Sequence, residues 1–212
     1  MKRNIASLNK TNLLSGKLMD LVPELYAMQD AIEDNDWHLE ESVFDHTLSV
    51  LGSLEKTFLV LTGPLKRRMN QEVDNNSRKI LLKIAAIFHD IAKPETLTKE
   101  YPTRCPAHEK IGAEKARNIL MHFDLSHKEL EIIVEIIRNH MTMHYILEPG
   151  NQNFQKEFVT FKNKFLNTIY PELILLVFAD TINSGLRKTH PKEFRYRIDF
   201  LKKEISKISQ LP

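Results

Sequence analysis

Apolar residues recur along this chain at spacings of three and four, the period of a helix with one buried face, and strand-like alternation is nearly absent. Leu13, Leu14, Leu18, Leu21, Leu25 and Met28 predict a first helix, bent or restarted at Pro23. A second is predicted over 43–61 and stops near Gly63 and Pro64. Residues 64–76 are polar and read as a loop or a short helical turn. A strong helix follows over 77–91, ended by Pro94. Residues 94–106 hold three prolines and read as a loop. The next helix covers 108–123. Ser126 and Glu129 have the spacing of a capping box and open a helix that runs to about His140. Residues 148–153 break the chain again. Phe154, Phe158, Phe161 and Phe165 form a stripe that reads as a helix docking its apolar face, not as an aromatic cofactor box. Pro171 starts a helix that carries Asp180, and Pro191 starts a charged last helix over about 192–208. The expected fold is all-α, about eight helices in one domain over 1–212, with its core at about 20–185.

Composition changes the picture little. Apolar residues make up 42% and charged residues 27%, so the chain can bury a real core. Thirty basic against 28 acidic residues leave a charge of +2, which argues against a protein built mainly to neutralise a phosphate backbone. The single cysteine, Cys105, excludes an internal disulfide and a multi-cysteine zinc site. The longest clean apolar run, 173–179, is far short of a membrane helix, and the start lacks the apolar stretch of a secretory signal. The expectation is therefore a cytoplasmic chain with no membrane partner. No GxGxxG or GxxxxGK[ST] pattern supports a nucleotide loop. The sequence leaves the oligomeric state open.

The nine histidines need explaining, because histidine is the commonest metal ligand. The apolar helix 80–90 ends in His89-Asp90. A buried ionised carboxylate is costly unless something compensates it, and a divalent cation would. Neighbouring helical residues point about 100° apart, so these two side chains can flank one cation. Asp180 follows another apolar run and needs a cation or an arginine beside it. His46 sits within the apolar-periodic helix 43–61. Together His46, His89, Asp90 and Asp180 offer two imidazoles and two carboxylates from three helices. That set suits Mn, Fe, Zn or Mg with positions left open for water. Lys93 follows Asp90 by three residues, so one more helical turn brings it over the same site.

The order His46, His89-Asp90, Asp180 resembles the HD domain superfamily of metal-dependent phosphohydrolases. The segments 37–40, 43–48, 88–94, 108–113 and 137–141 are similar to the HD region of bacterial CCA-adding tRNA nucleotidyltransferases. The resemblance covers about residues 20–185. The nucleotidyltransferase head of those enzymes, with its Gly-Ser and paired carboxylates, finds no counterpart, so a free-standing HD domain is expected.

The resemblance implies one or two divalent ions per chain, with Mn, Fe, Ni, Co, Zn and Mg all open. His108 and His140 match histidines that hold a second ion, with Asp90 bridging. A second histidine expected after His140 is replaced by Met141, and His144, one turn on, is the auxiliary ligand. Asp90 and Lys93 are the expected catalytic residues. Lys93, Arg138 and His38 are the expected contacts to substrate, and Glu109 is expected to support a ligand histidine. His122, His127 and His190 lie in polar surroundings and read as solvated. The implied activity is hydrolysis of a phosphomonoester or phosphodiester, on a small phosphoester, a nucleotide or an RNA end. Two other readings stay open. One is an RNA- or nucleotide-binding module with a structural or vestigial metal, using Lys66-Arg67-Arg68 and the basic residues of 187–203. The other is a di-iron HD oxygenase.

Overall fold

The computed structural model describes residues 2–210. A 3-10 turn at Ile5–Ser7 leads into α1 (Lys10–Leu14) and α2 (Glu24–Ala27). Two short strands, β1 (Ile32–Glu33) and β2 (Glu41–Ser42), form an antiparallel hairpin. Then come α3 (Val43–Val60), α4 (Gly63–Asn70), α5 (Arg78–Phe88), α6 (Lys93–Thr96), α7 (His108–Leu120) and α8 (His127–Ile146). The chain closes with α9 (Phe154–Phe165), α10 (Tyr170–Asn183), α11 (Leu186–Thr189) and α12 (Pro191–Gln210). The fold is all-α apart from the hairpin. No described helix is long and apolar enough to cross a membrane.

Two largely buried apolar helices, α10 and α5, lie at the centre. α10 packs against α3, α8 and α12, and α5 packs against α3 and α8. α7 lies along α8. Gly112 on α7 faces Ile91, Ala92 and the His89 carbonyl at the end of α5, at distances that leave ordinary contact room for a Cβ. The phenylalanine stripe docks α9 as its spacing predicts, with Phe158, Phe161 and Phe165 buried and Phe154 and Phe158 packed on Phe200.

The boundaries depart from the sequence pattern in several places, three of which bear on the packing or the site. The first helix, expected over 13–28 with a bend or restart at Pro23, is two short ones, and the second does begin just after Pro23. Gly16, at φ +75°, turns the chain after α1, and the Tyr26 hydroxyl closes the gap by donating to Leu13 O and accepting from Leu18 N. Its leucines still reach the core, because turns can bury the same residues that a helix would. Residues 63–70, within the stretch read as a loop or a short helical turn, form the eight-residue helix α4, since Pro64 suits a first turn and Leu65 and Met69 share one buried face. α8 runs one and a half turns beyond His140, to Ile146. That extension carries His144 into the interior.

Candidate metal centre

Five separate pieces of chain deliver the side chains. α3 brings His46 in its first turn, the end of α5 brings His89 and Asp90, α7 opens on His108, α8 supplies His140 and His144, and α10 supplies Asp180. All seven are buried. His89 Nε2 lies 3.2 Å from Asp90 Oδ2. On its other oxygen, Asp90 Oδ1 lies 3.3 Å from His108 Nε2 and 3.7 Å from His140 Nε2. Asp180 spans two histidines, with Oδ1 2.9 Å from His46 Nε2 and Oδ2 2.9 Å from His144 Nε2. Ligand atoms of His46, His89 and Asp90 converge closely enough to hold one cation, and those of Asp90, His108 and His140 to hold another. Asp90 belongs to both sets.

Three of the rings are oriented to suit cations. His89, His108 and His140 each place Nδ1 against a backbone carbonyl three residues earlier: Ala86 at 2.8 Å, Cys105 at 2.7 Å and Ile137 at 2.6 Å. A carbonyl only accepts, so each Nδ1 donates, and a neutral ring then turns a bare Nε2 inward. His108 Nε2 and His140 Nε2 stand 3.3 Å apart, a repulsive contact unless a proton or a metal relieves it. His89 Nε2 and Asp90 Oδ1 are buried with no hydrogen-bond partner. Buried polar atoms are ordinarily satisfied, and a cation held by these ligand sets would satisfy both. Burial and the neighbouring His108 and His89 hold the pKa of His140 well below its usual value. Burial would raise Asp90, but His89 and Lys93 outweigh it and keep the carboxylate ionised. Burial opposes charge on His46 as well, yet Asp180 and Glu41 outweigh that and lift its pKa to about 10, so a cation at Nε2 has to displace a proton there.

A cavity of about 490 Å³ opens onto this cluster. Among its lining residues are Asp90, Lys93, Trp37, Arg104, Tyr145 and Asp180. Lys93 reaches the site as expected, but it is buried, not poised on the surface. Its Nζ lies 2.9 Å from Asp90 Oδ2 and 2.7 Å from Glu33 Oε2. His38 also lines the cavity, with Nε2 3.5 Å from Glu33.

Other expectations are corrected. Arg138 does not reach the cavity; it pairs with Glu114 and Glu135. It stands two residues before His140, and two helical steps turn a side chain by about 200°. Glu109 does not hold His108, because the Cys105 carbonyl takes that proton and Glu109 Oε2 stays 3.9 Å away. Of the basic residues named for a binding module, Arg68 and Arg197 are committed elsewhere, while the others are exposed. Arg68 reaches Thr168 O and faces Glu172, and Arg197 is buried between Glu193, His144 O and the Trp37 ring. His122, His127 and His190 are exposed, as their surroundings suggest.

Three residues of the site were not visible in the sequence. Glu33 and Glu41 face each other across the hairpin, whose two-residue strands are too short to show alternation. Arg104 lines the cavity mouth on a loop pinned by the Thr98–Arg104 hydrogen bonds, and its guanidinium forms no ion pair among the described residues. No periodicity or motif marks it.

The family model described as the HD domain matches residues 43–183. The chain is 24% identical over 185 residues to a bifunctional uridylyltransferase/uridylyl-removing enzyme of Aromatoleum aromaticum, covering 87% of this chain and 19% of that protein. It is 26% identical over 167 residues to an A-adding tRNA nucleotidyltransferase of Deinococcus radiodurans, covering 77% of this chain and 32% of that one. The chain thus matches no more than about a third of the length of either relative.

Proposed function

The chain belongs to the HD domain family, and from that premise we propose that it is a metal-dependent phosphohydrolase acting on a phosphomonoester or phosphodiester of a nucleotide or an RNA end. The observation that carries the reading is the buried Asp90 shared by two ligand sets, with Asp90 Oδ1 and His89 Nε2 left without partners. In this reading His46, His89, Asp90 and Asp180 hold one divalent ion, with His144 as a further contact through Asp180. Asp90, His108 and His140 hold a second. When bound, the ions supply charge to polarise a phosphate oxygen and to acidify a water nucleophile.

The remaining residues bind and orient. Lys93 already offsets Asp90 and Glu33, so its charge is shared between the metal cluster and a phosphate entering the cavity. Arg104 is the uncommitted cation at the mouth and takes the place first given to Arg138 as a phosphate contact. The cavity is of a size that holds small ligands of nucleotide dimensions. The names of both relatives, a uridylyl-removing enzyme and a tRNA nucleotidyltransferase, support a nucleotide or RNA phosphoester over other phosphate compounds.

The test is a screen of phosphoesters with Mn²⁺, Mg²⁺, Ni²⁺, Fe²⁺, Co²⁺ and Zn²⁺, including 2′,3′-cyclic nucleotides, 5′-mononucleotides and an aryl phosphate. We expect turnover of at least one nucleotide substrate, and its loss in Asp90→Asn. Arg104→Ala should raise KM more than it lowers kcat, as for a contact made equally in ground and transition states. Metal-loaded protein that turns over no phosphoester would overturn the proposal.

A further inference from the structure

Three of the ligand histidines are held alike; His46, like the auxiliary His144, is not. His89, His108 and His140 each pin Nδ1–H to a carbonyl of their own chain three residues back. His46 makes no such bond, and its buried Nδ1 has no hydrogen-bond partner. The acceptor facing it is Glu41 Oε2, at 3.5 Å. Glu41 stands on β2, just ahead of α3, and β1 fixes it in register with Glu33. His38 completes the enclosure. Its ring meets that of His46 edge-on, centroids 4.5 Å apart, and its own Nδ1 lies 3.7 Å from the same Glu41 oxygen.

For His46 Nε2 to offer its lone pair beside Asp180, the ring proton has to sit on Nδ1, and a buried N–H needs an acceptor. A ligand histidine almost always gives its second ring N–H to such a group, and a carboxylate also makes the ring a stronger donor than a carbonyl does. A shift of Glu41 by about half an ångström closes the contact to normal hydrogen-bond length. We propose that Glu41 is a positioning residue of the metal centre: it accepts the Nδ1–H of His46, fixes the tautomer that presents Nε2, and so makes the hairpin a working part of the site. This inference rests on the metal-ligand role of His46 given above.

The test uses the full chain and Zn²⁺ alone. Long-range ¹H–¹⁵N spectra of the zinc-loaded protein report which nitrogen of His46 carries the proton. Competition with a chromophoric chelator gives the affinity. We expect Nδ1 to be protonated and Nε2 to be bound to zinc in the wild type. Glu41→Gln keeps the shape and removes the charge, and Glu41→Ala removes both; each should weaken zinc binding, by about 10- to 100-fold for a supporting partner of a ligand. Because Glu41 acts through His46, Glu41→Gln should cost nothing further in a His46→Ala background, a coupling that a merely structural role would not give. Wild-type affinity in both Glu41 variants, additive losses in the double variant, or zinc on Nδ1 in the triangle His38, Glu41 and His46 would overturn the inference while leaving the metal reading intact. A wild type that takes up no zinc removes both.

Discussion

Lys93 carries its charge in the interior, where an ammonium persists only with partners. Burial alone would lower its pKa, but Asp90 and then Glu33 outweigh that and raise it. Removing one member of a buried ion pair leaves an uncompensated charge and costs about 3–5 kcal/mol. Lys93→Met should therefore destabilise the metal-free protein by about that amount. A divalent ion gives Asp90 another cation, so the deficit should shrink when Mn²⁺ is present. Urea unfolding with and without Mn²⁺ checks both parts. A metal-free loss within the few tenths expected of a surface substitution would mean that Lys93 is not held as described. The same scale shows why Arg138 failed as a candidate: a neighbour in sequence within a helix is not a neighbour in space.

The N-terminus of α8 shows how one helix is anchored. Ser126 Oγ accepts from Glu129 N at 3.1 Å, and Glu129 Oε2 accepts from Ser126 N at 2.8 Å. The other oxygen of Glu129 accepts from Asn75 N and Asn76 Nδ2, both at 2.9 Å, which ties α8 to the loop before α5. Burial would raise the Glu129 pKa, but these hydrogen bonds outweigh it and the folded value lies below 4.5. A carboxylate depressed in the folded state adds stability above its unfolded pKa, and that stability is lost as pH falls through the folded one. Glu129→Gln should thus cost about 1–3 kcal/mol at neutral pH. The gap should narrow once the pH drops well below 4.5 and the wild-type carboxylate is itself protonated. Chemical denaturation across that range is the measurement, and a gap that does not change with pH would show that the charge contributes nothing. The box was legible from Ser126 and Glu129 because capping acts over three residues. The partners Asn75 and Asn76 were not, being more than fifty residues away.

Across the whole molecule the ligand set exists only when the chain is folded. His46 and Asp180 touch although 134 residues separate them. A ligand that binds the folded state alone stabilises it by RT ln(1 + [L]/Kd), about 2.7 kcal/mol at a hundredfold excess over Kd. Mn²⁺ titration should accordingly raise Tm, and His89→Ala or Asp180→Ala should abolish most of the rise. Differential scanning fluorimetry over a metal series tests this; a wild-type Tm indifferent to every divalent ion would count against the site.

Several features were determined by the sequence on its own. Helical periodicity, Pro64, Pro171 and the capping box are local signals, and they placed α3, α5, α7, α9, α10 and α12 because helix formation is settled within a few turns. The order His46, His89-Asp90, Asp180 named the ligand candidates, since buried apolar runs ending in charge are costly without a cation. Tertiary structure alone decided the rest. It bent the first predicted helix at Gly16, carried α8 on to bury His144, turned Arg138 outward, set Lys93 between two carboxylates and brought Glu33 and Glu41 to the cluster through a hairpin of two-residue strands. Those outcomes depend on which surfaces meet. The free energy of burying or pairing a charge is fixed by neighbours distant along the chain, and no local pattern encodes them.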